Sequence, residues 1–290
     1  MGKSVHIIGA GKVGQTLARI LQAGGAWQLS SVYSRSNGAQ LVAQAGAGRT
    51  VAAVPELPPA DLVLLTVSDN ALAGVAEQLA GLPWLSEQTL VLHCSGSQTV
   101  GVLDCLAAKG ALTGCLHPVF AFADVDLSVR TLAGSLCAAE AANAAAKVRL
   151  YALAQDLGLR AFDMPSEHKA RYHAALSAAS NFTVALAAFA QELLNPLALD
   201  GVLARELVAG LMRQSVDNLM GKLPLQALTG PIVRGDDSTV AAHLACMNER
   251  EREIYCKYAE ETLKLAAGRL DEAGQARIRL LLEAGSSVGR

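Results

Sequence analysis

Val5-His6-Ile7-Ile8-Gly9-Ala10-Gly11-Lys12-Val13-Gly14 is a short apolar strand that runs into Gly-x-Gly-x-x-Gly, after which Leu17, Ile20 and Leu21 recur at helical spacing. A strand, a glycine turn and a helix in that order suit a dinucleotide pyrophosphate. Gly9 permits the tight turn, Gly11 lets the backbone approach the phosphates, and Gly14 lets helix and strand pack closely. The helix start, with Lys12 and Val13 in its first turn, offers free N–H donors to the anion. A glycine turn that binds nothing is the competing reading. The second strand-like run, Trp27-Gln28-Leu29-Ser30-Ser31-Val32-Tyr33, supplies the context that favours the dinucleotide site.

The end of that second run is where such domains choose between cofactors. An acidic residue there accepts hydrogen bonds from the ribose 2′-OH of NAD. This chain instead reads Ser34-Arg35-Ser36. A guanidinium and two hydroxyls stand where a 2′-phosphate would lie, which favours NADP over NAD. The alternative is an exposed loop arginine without a ligand.

A length of 290 residues suggests two domains, and 52% hydrophobic with 17% charged residues suffices for large cores. The excess is mostly Ala and Leu, which fits helices packed through small residues. No apolar run is expected to reach the roughly 18 residues that span a bilayer. The first strand begins at once, which leaves no room for a signal peptide. Cys94, Cys105, Cys115, Cys137, Cys246 and Cys256 include no Cys-x-x-Cys and read as reduced, mostly buried apolar residues. The expectation is therefore a cytoplasmic protein without a membrane partner. A net charge of −2 without a basic cluster gives no support for nucleic-acid binding.

Along the first half, strand-like runs alternate with helical ones in the rhythm of a parallel sheet. Asp61–Val67 reads as a strand buried on both faces. Ser68-Asp69-Asn70 then caps a helix from Ala71. Further strands are expected at Leu90–His93, Leu112–Leu116, Leu132–Ala138 and Leu159–Phe162, with an alanine-rich helix over about residues 140–157. From Pro165 the alternation stops and long helical patterns follow. The fold class is thus α/β, a Rossmann-type doubly wound parallel sheet over 1–164 followed by an all-helical domain over 165–290. Ligands of open α/β sheets bind at the carboxyl ends of strands, so Val67, Ser68, His93, Ser95 and Gly96 should face the cofactor. Ser97 and His117 should face the substrate. The helical half is expected to close over the nicotinamide.

These motifs, together with His117-Pro118, Tyr172-His173-Ala174-Ala175, Ser180-Asn181 and Gly230-Pro231-Ile232-Val233-Arg234-Gly235-Asp236, resemble a bacterial family in which a Rossmann domain precedes a helical domain of unknown function. The chain is similar in plan to ketopantoate reductase, pyrroline-5-carboxylate reductase and the 3-hydroxyacid dehydrogenases. The resemblance implies a nicotinamide-dependent reductase of a small molecule and a homodimer formed through the helical domain.

A polar stripe marks the chemistry. Lys169, His173, Ser177 and Asn181 recur every four positions on a helix expected over Ser166–Leu194 and otherwise built from Ala, Leu and Phe. Reduction of a carbonyl or imine needs a proton donor and groups that hold the reacting atom. Lys169 or His173 could donate, while Ser177 and Asn181 orient. In ketopantoate reductases and 3-hydroxyacid dehydrogenases a lysine on the corresponding helix, with an asparagine one or two turns later, has such a role. Here the position four after Lys169 is His173, and the asparagine comes at 181. The bland alternatives are an exposed first-turn Lys169 and a satisfied His173/Asn181 pair inside a bundle. His93, His117 and His173 could converge, yet no zinc-like spacing accompanies them and no metal is expected. His93 and His117 could instead only shape their loops. Arg234 either clamps a substrate carboxylate or pairs with Asp236 to fix its loop. Asp237 or Ser238 should cap a helix over about Val240–Leu265.

The combined expectation is an NADP-dependent reductase of a carbonyl or imine in a small carboxylate-bearing metabolite. The alternative is a nucleotide-binding sensor or scaffold without turnover.

Overall fold

The computed structural model describes residues 2–286. Eight strands form one sheet: β1 (Lys3–Ile8), β2 (Trp27–Tyr33), β3 (Arg49–Thr50), β4 (Leu62–Leu65), β5 (Leu90–His93), β6 (Leu112–Pro118), β7 (Leu136–Ala141) and β8 (Arg160–Asp163). Between them lie α1 (Lys12–Ala23), α2 (Gly38–Ala45), α3 (Asp69–Ala80), α4 (Asp104–Ala107), α5 (Val125–Thr131) and α6 (Ala144–Asp156), and α7 (Lys169–Ala179) follows β8. The strand order is β3-β2-β1-β4-β5-β6-β7-β8. It reverses direction between β1 and β4, the switch point where open α/β sheets hold ligands.

Alternation along β4 shows why both faces are covered. Leu62 and Leu64 join one core with Val5, Leu17, Leu21 and Leu150, beneath α1 and α6. Val63 and Leu65 join another with Leu72, Val75 and Leu79 of α3. Successive side chains of a strand point to opposite faces, so an unbroken apolar run serves two helical layers. The sheet is not wholly parallel, for β7 runs antiparallel to β6. That strand also lies later than the expected 132–138.

The chain divides into two compact units after Ser180. The boundary thus falls later than the expected 164/165, because α7 is tied to the sheet by side-chain bonds described below. The helix expected over Ser166–Leu194 is two helices, with a turn at Ser180 before α8 (Asn181–Glu192).

The second unit comprises α8, α9 (Gly201–Leu219), α10 (Pro224–Ala227), α11 (Pro231–Arg234), α12 (Asp237–Ala245), α13 (Glu249–Ala266) and α14 (Glu272–Ser286). Its core holds Ile232, Val240, Leu244, Cys256, Leu263, Ile278 and Leu282. The single helix expected over Val240–Leu265 is broken by two caps. Asp236, rather than Asp237 or Ser238, accepts from the Thr239 amide to start α12. Asn248 and Glu251 form a capping box at α13.

One expectation about apolar runs needs correction. Ser166–Leu197, 32 residues with a mean hydropathy of 1.3 in its most apolar window, is long and apolar enough by composition to cross a membrane.

Candidate active site

Sterics build the first part of the site around the glycine turn. Gly9 has φ +106°, and a Cβ there would stand 2.7 Å from the Thr66 carbonyl. A Cβ on Gly14 would collide with the Gly9 oxygen and the Thr66 hydroxyl, so strand, helix and β4 close up only on glycine. Thr66 itself donates to the Gly9 carbonyl at 2.6 Å. Gly11 differs: nothing lies within 4 Å of the Cβ it lacks. Its bare face is open, as close approach of a pyrophosphate requires, and Lys12 and Val13 begin α1 directly behind it.

Beside this turn lies a cavity of about 410 Å³ bounded by Gly9–Gly11, Tyr33–Ser36 and Thr66–Ser68. The Ser34 hydroxyl accepts from the Ala10 amide at 3.1 Å and donates to the Ser36 carbonyl at 2.6 Å. It therefore ties the end of β2 to the glycine turn. Arg35 is exposed on the cavity rim and makes no ion pair among the described residues. Ser68 caps α3 with its backbone, and Asp69 at the head of α3 accepts from Ser97 at 2.5 Å. Turn, helix start and cavity fit a dinucleotide.

The second part of the site forms after β5 and β6. His93 was expected at the cofactor, but its side chain is fully buried. Its Nδ1 accepts from the Ser95 amide and its Nε2 meets the Thr99 carbonyl, so it shapes the 94–99 loop from beneath. Burial, with the Lys169 charge second, lowers it to about 4. The Ser95 hydroxyl in turn accepts from the amides of Ser97 and Gln98. Gly96 at the loop's crest lies under two imidazoles: a Cβ there would stand 2.5 Å from His173 Cδ2 and 2.8 Å from His117 Nε2.

His117 ends β6 and meets Tyr172 and His173 of α7 edge to face, with ring centroids 5.7 and 6.0 Å away. Tyr172 Oη lies 2.9 Å from His117 Nδ1. Burial chiefly, then His173 and Lys169, lowers His117 to about 4, so the ring is neutral near pH 7. Burial also raises the Tyr172 phenol.

Lys169 is neither a free proton donor nor an exposed first-turn lysine. Its side chain is 1% exposed and its ammonium lies 2.7 Å from Glu140 Oε2. Glu140 Oε1 accepts from Ser166 at 2.5 Å and from the Val100 amide at 3.0 Å. Burial pushes the Glu140 carboxyl up, but these three donors outweigh it and hold it below the usual value. One carboxylate on β7 thus fastens α7 on one side and the loop after β5 on the other.

The structure therefore gathers Gly96, His117 and His173, with Ser95 and Ser97 in the same loop and Ser177 one turn beyond His173. Asn181 and Arg234 belong to the second unit. Arg234 is exposed and forms no ion pair with Asp236, whose carboxylate caps α12 instead. Among the described residues no group of three His, Cys, Asp or Glu side chains could hold a metal. Glu140 was not singled out from the sequence, and Tyr172, Thr66 and Asp69 were read only as motif, strand or cap residues without a part in the site. Tyr172 adjoins His173, but neighbours on a helix do not share a face. What brings both to His117 is that its ring straddles them.

Residues 2–118 match a Rossmann-like domain, and residues 135–262 match a domain of unknown function, DUF2520. The chain thus carries, in order, a match to a Rossmann-like domain and a match to DUF2520. Several solved structures share the plan. A Bacteroides fragilis protein provisionally described as an NADP oxidoreductase is 23% identical with a TM-score of 0.71, over 98% of each chain. A Thermotoga maritima protein is 24% identical with a TM-score of 0.63, over 99% of this chain and 100% of the other. Pyrroline carboxylate reductase from Plasmodium falciparum, a structure with NADP bound, is 13% identical with a TM-score of 0.62, over 99% and 98%. At these identities the likeness is one of fold. No curated protein matches the sequence.

Proposed function

We propose that this protein is an NADP-dependent oxidoreductase that reduces the carbonyl or imine of a small metabolite. The observation that carries the reading is the open face of Gly11 beside a cavity whose rim holds an unpaired Arg35. Gly9, Gly11, Gly14, Lys12 and Val13 would hold the pyrophosphate, and Arg35 with Ser36 would hold a 2′-phosphate, as two-point recognition of a phosphate by guanidinium allows. Val67, Ser68 and the Ser95-Gly96 loop would border the nicotinamide end. When bound, NADPH supplies the hydride. Residues of the chain supply orientation and the proton: His117 and His173 stand over Gly96, and Ser97 is fixed by Asp69. Arg234, exposed and without an ion pair among the described residues, has the planar fork that suits a carboxylate.

Lys169 supports a second reading, a nucleotide-binding sensor without turnover, because the lysine expected to donate a proton is held by Glu140. A panel of 2-oxo, 3-oxo and cyclic imino acids with NADPH separates the two. Nucleotide oxidation that falls at least tenfold in His173→Ala, with NADPH affinity retained, supports the reductase. Tight NADPH binding with no oxidation by any member of the panel supports the sensor.

The second unit suits self-association. Phe182 and Val184 of α8 and Val202, Leu203, Leu207 and Leu211 of α9 are 42–70% exposed. Val216, Leu219, Met220 and Leu223 are exposed as well, at 49–84%, and so much exposed apolar side chain marks an interaction surface. A bilayer is the poorer cover. The first half of the Ser166–Leu197 run is α7, pinned to the sheet by Lys169. The 12 residues of α8 then reach only about 18 Å of a core about 30 Å thick. A second copy of the chain is the occupant we propose.

A further inference from the structure

We propose that Tyr172 and His117 form a two-residue proton relay whose outer donor, the Nε2–H of His117, serves the atom that becomes the product hydroxyl. The proposal rests on the reductase reading and specifies the source of the proton. Its geometry begins with Tyr172, half-buried between the Phe162 ring, 6.2 Å away, and His117. The hydrogen bond to His117 Nδ1 is the one the phenol makes among the described residues. In the proposed relay the phenol, the more acidic of the two groups, donates across this bond. Nδ1 is therefore the accepting nitrogen, and the proton of a neutral imidazole must sit on Nε2.

The Nε2–Cε1 edge of the ring lies against Gly96, where a Cβ would stand 2.8 Å from Nε2 and 2.9 Å from Cε1. Nε2 makes no hydrogen bond among the described residues. Gly96 is needed here for space, since a Cβ would crowd both imidazoles. The result is an uncharged donor held over a loop crest, with its tautomer fixed from behind.

Two electrons arrive as hydride on the carbonyl carbon, which is reduced while the dihydronicotinamide is oxidised. The C=O π pair takes the Nε2 proton and becomes O–H. Nδ1 takes the phenolic proton in the same movement, so the imidazole stays neutral and changes tautomer. Tyr172 is left as phenolate; after the product leaves, Nδ1 returns the proton to it and Nε2 takes one from water, which restores the starting tautomer. An alkoxide is a much stronger base than a phenolate whose acid has a pKa near 10, so the transfer runs downhill even with Tyr172 raised. His117 is then the catalytic residue and Tyr172 the positioning and reloading residue.

Nitrogen-15 NMR of the histidine-labelled full-length protein reads the tautomer directly, with His117→Gln to assign its signals. The expected wild-type result is a neutral His117 protonated on Nε2 from pH 8 to pH 5. Tyr172→Phe keeps the ring against Phe162 and should give a mixture of the two neutral tautomers. Gly96→Ala should displace the His117 signals without altering which nitrogen is protonated. A wild-type ring protonated on Nδ1, or an unchanged pattern in Tyr172→Phe, overturns the relay. Calorimetry with NADPH on the same samples should give affinities within twofold of each other for wild type and Tyr172→Phe. Loss of nucleotide binding in the wild type would reject the reductase reading, while the tautomer pattern would still judge the pair.

Discussion

The Lys169 ammonium and the Glu140 carboxylate lie 2.7 Å apart, with the two side chains only 1% and 5% exposed. Removal of one partner from such a pair leaves an uncompensated buried charge, which costs about 3–5 kcal/mol. Lys169→Ala and Glu140→Gln should each lower stability by amounts of that order in urea unfolding. The double replacement Lys169→Met with Glu140→Gln should recover much of the loss, because neither charge remains. If each single variant loses less than about 1 kcal/mol, the pair is not the fastening of α7 described above.

The glycines of the turn should separate by role. Gly14→Ala meets the Gly9 oxygen and should reduce folded yield, whereas Gly11→Ala meets nothing within 4 Å and has no strained backbone. Gly11→Ala should therefore melt within about 2 °C of wild type, as surface substitutions within ±0.5 kcal/mol do. It should still weaken NADPH at least tenfold, because its methyl enters the face left for the pyrophosphate. Thermal unfolding and calorimetry together check this.

Much of the first unit was legible because its signals are local. Trp27–Tyr33 and Leu90–His93 are observed with the expected bounds, and the glycine turn sits where the motif places it. β7 was displaced in the reading because Leu136-Cys137-Ala138-Ala139-Glu140-Ala141 lacks β-branched residues, and it is held by pairing with β6 and β8. Its antiparallel course has no local signature at all. The site was half legible. His117 and His173 stood out as titratable side chains after a strand and on a polar stripe. Glu140 did not, since its partner is 29 residues away and a strand glutamate reads as surface. Lys169 was misread for the same reason: spacing along a helix cannot show a carboxylate that arrives from a strand.

Acid should destabilise the first unit through its neutral histidines. The folded value of His93 is about 4, below the ordinary 6.5. Between those values the unfolded chain binds more protons, so the stabilisation is full above pH 6.5 and is lost as pH falls toward 4. His93 alone should remove about 2 kcal/mol at pH 5 relative to pH 8, with His117 adding in the same direction. Urea unfolding at the two pH values tests this, and His93→Gln should flatten the dependence. An equal dependence in the variant would show that His93 is not the group responsible.

The exposed apolar face of α8 and α9 predicts a particle of twice the chain mass by light scattering. Leu207→Glu with Leu211→Glu, which places two charges one helical turn apart on that face, should give the single-chain mass with the first unit still able to bind NADPH. A wild type that runs as one chain would remove the interface.

The most direct test of the central claim is calorimetric titration of the full chain with NADPH and with NADH, repeated on Arg35→Ala. The account predicts that NADPH binds at least tenfold more tightly than NADH and that Arg35→Ala removes most of that difference while leaving NADH affinity unchanged. Absence of binding by either nucleotide, or a preference for NADPH that survives the loss of Arg35, would contradict it.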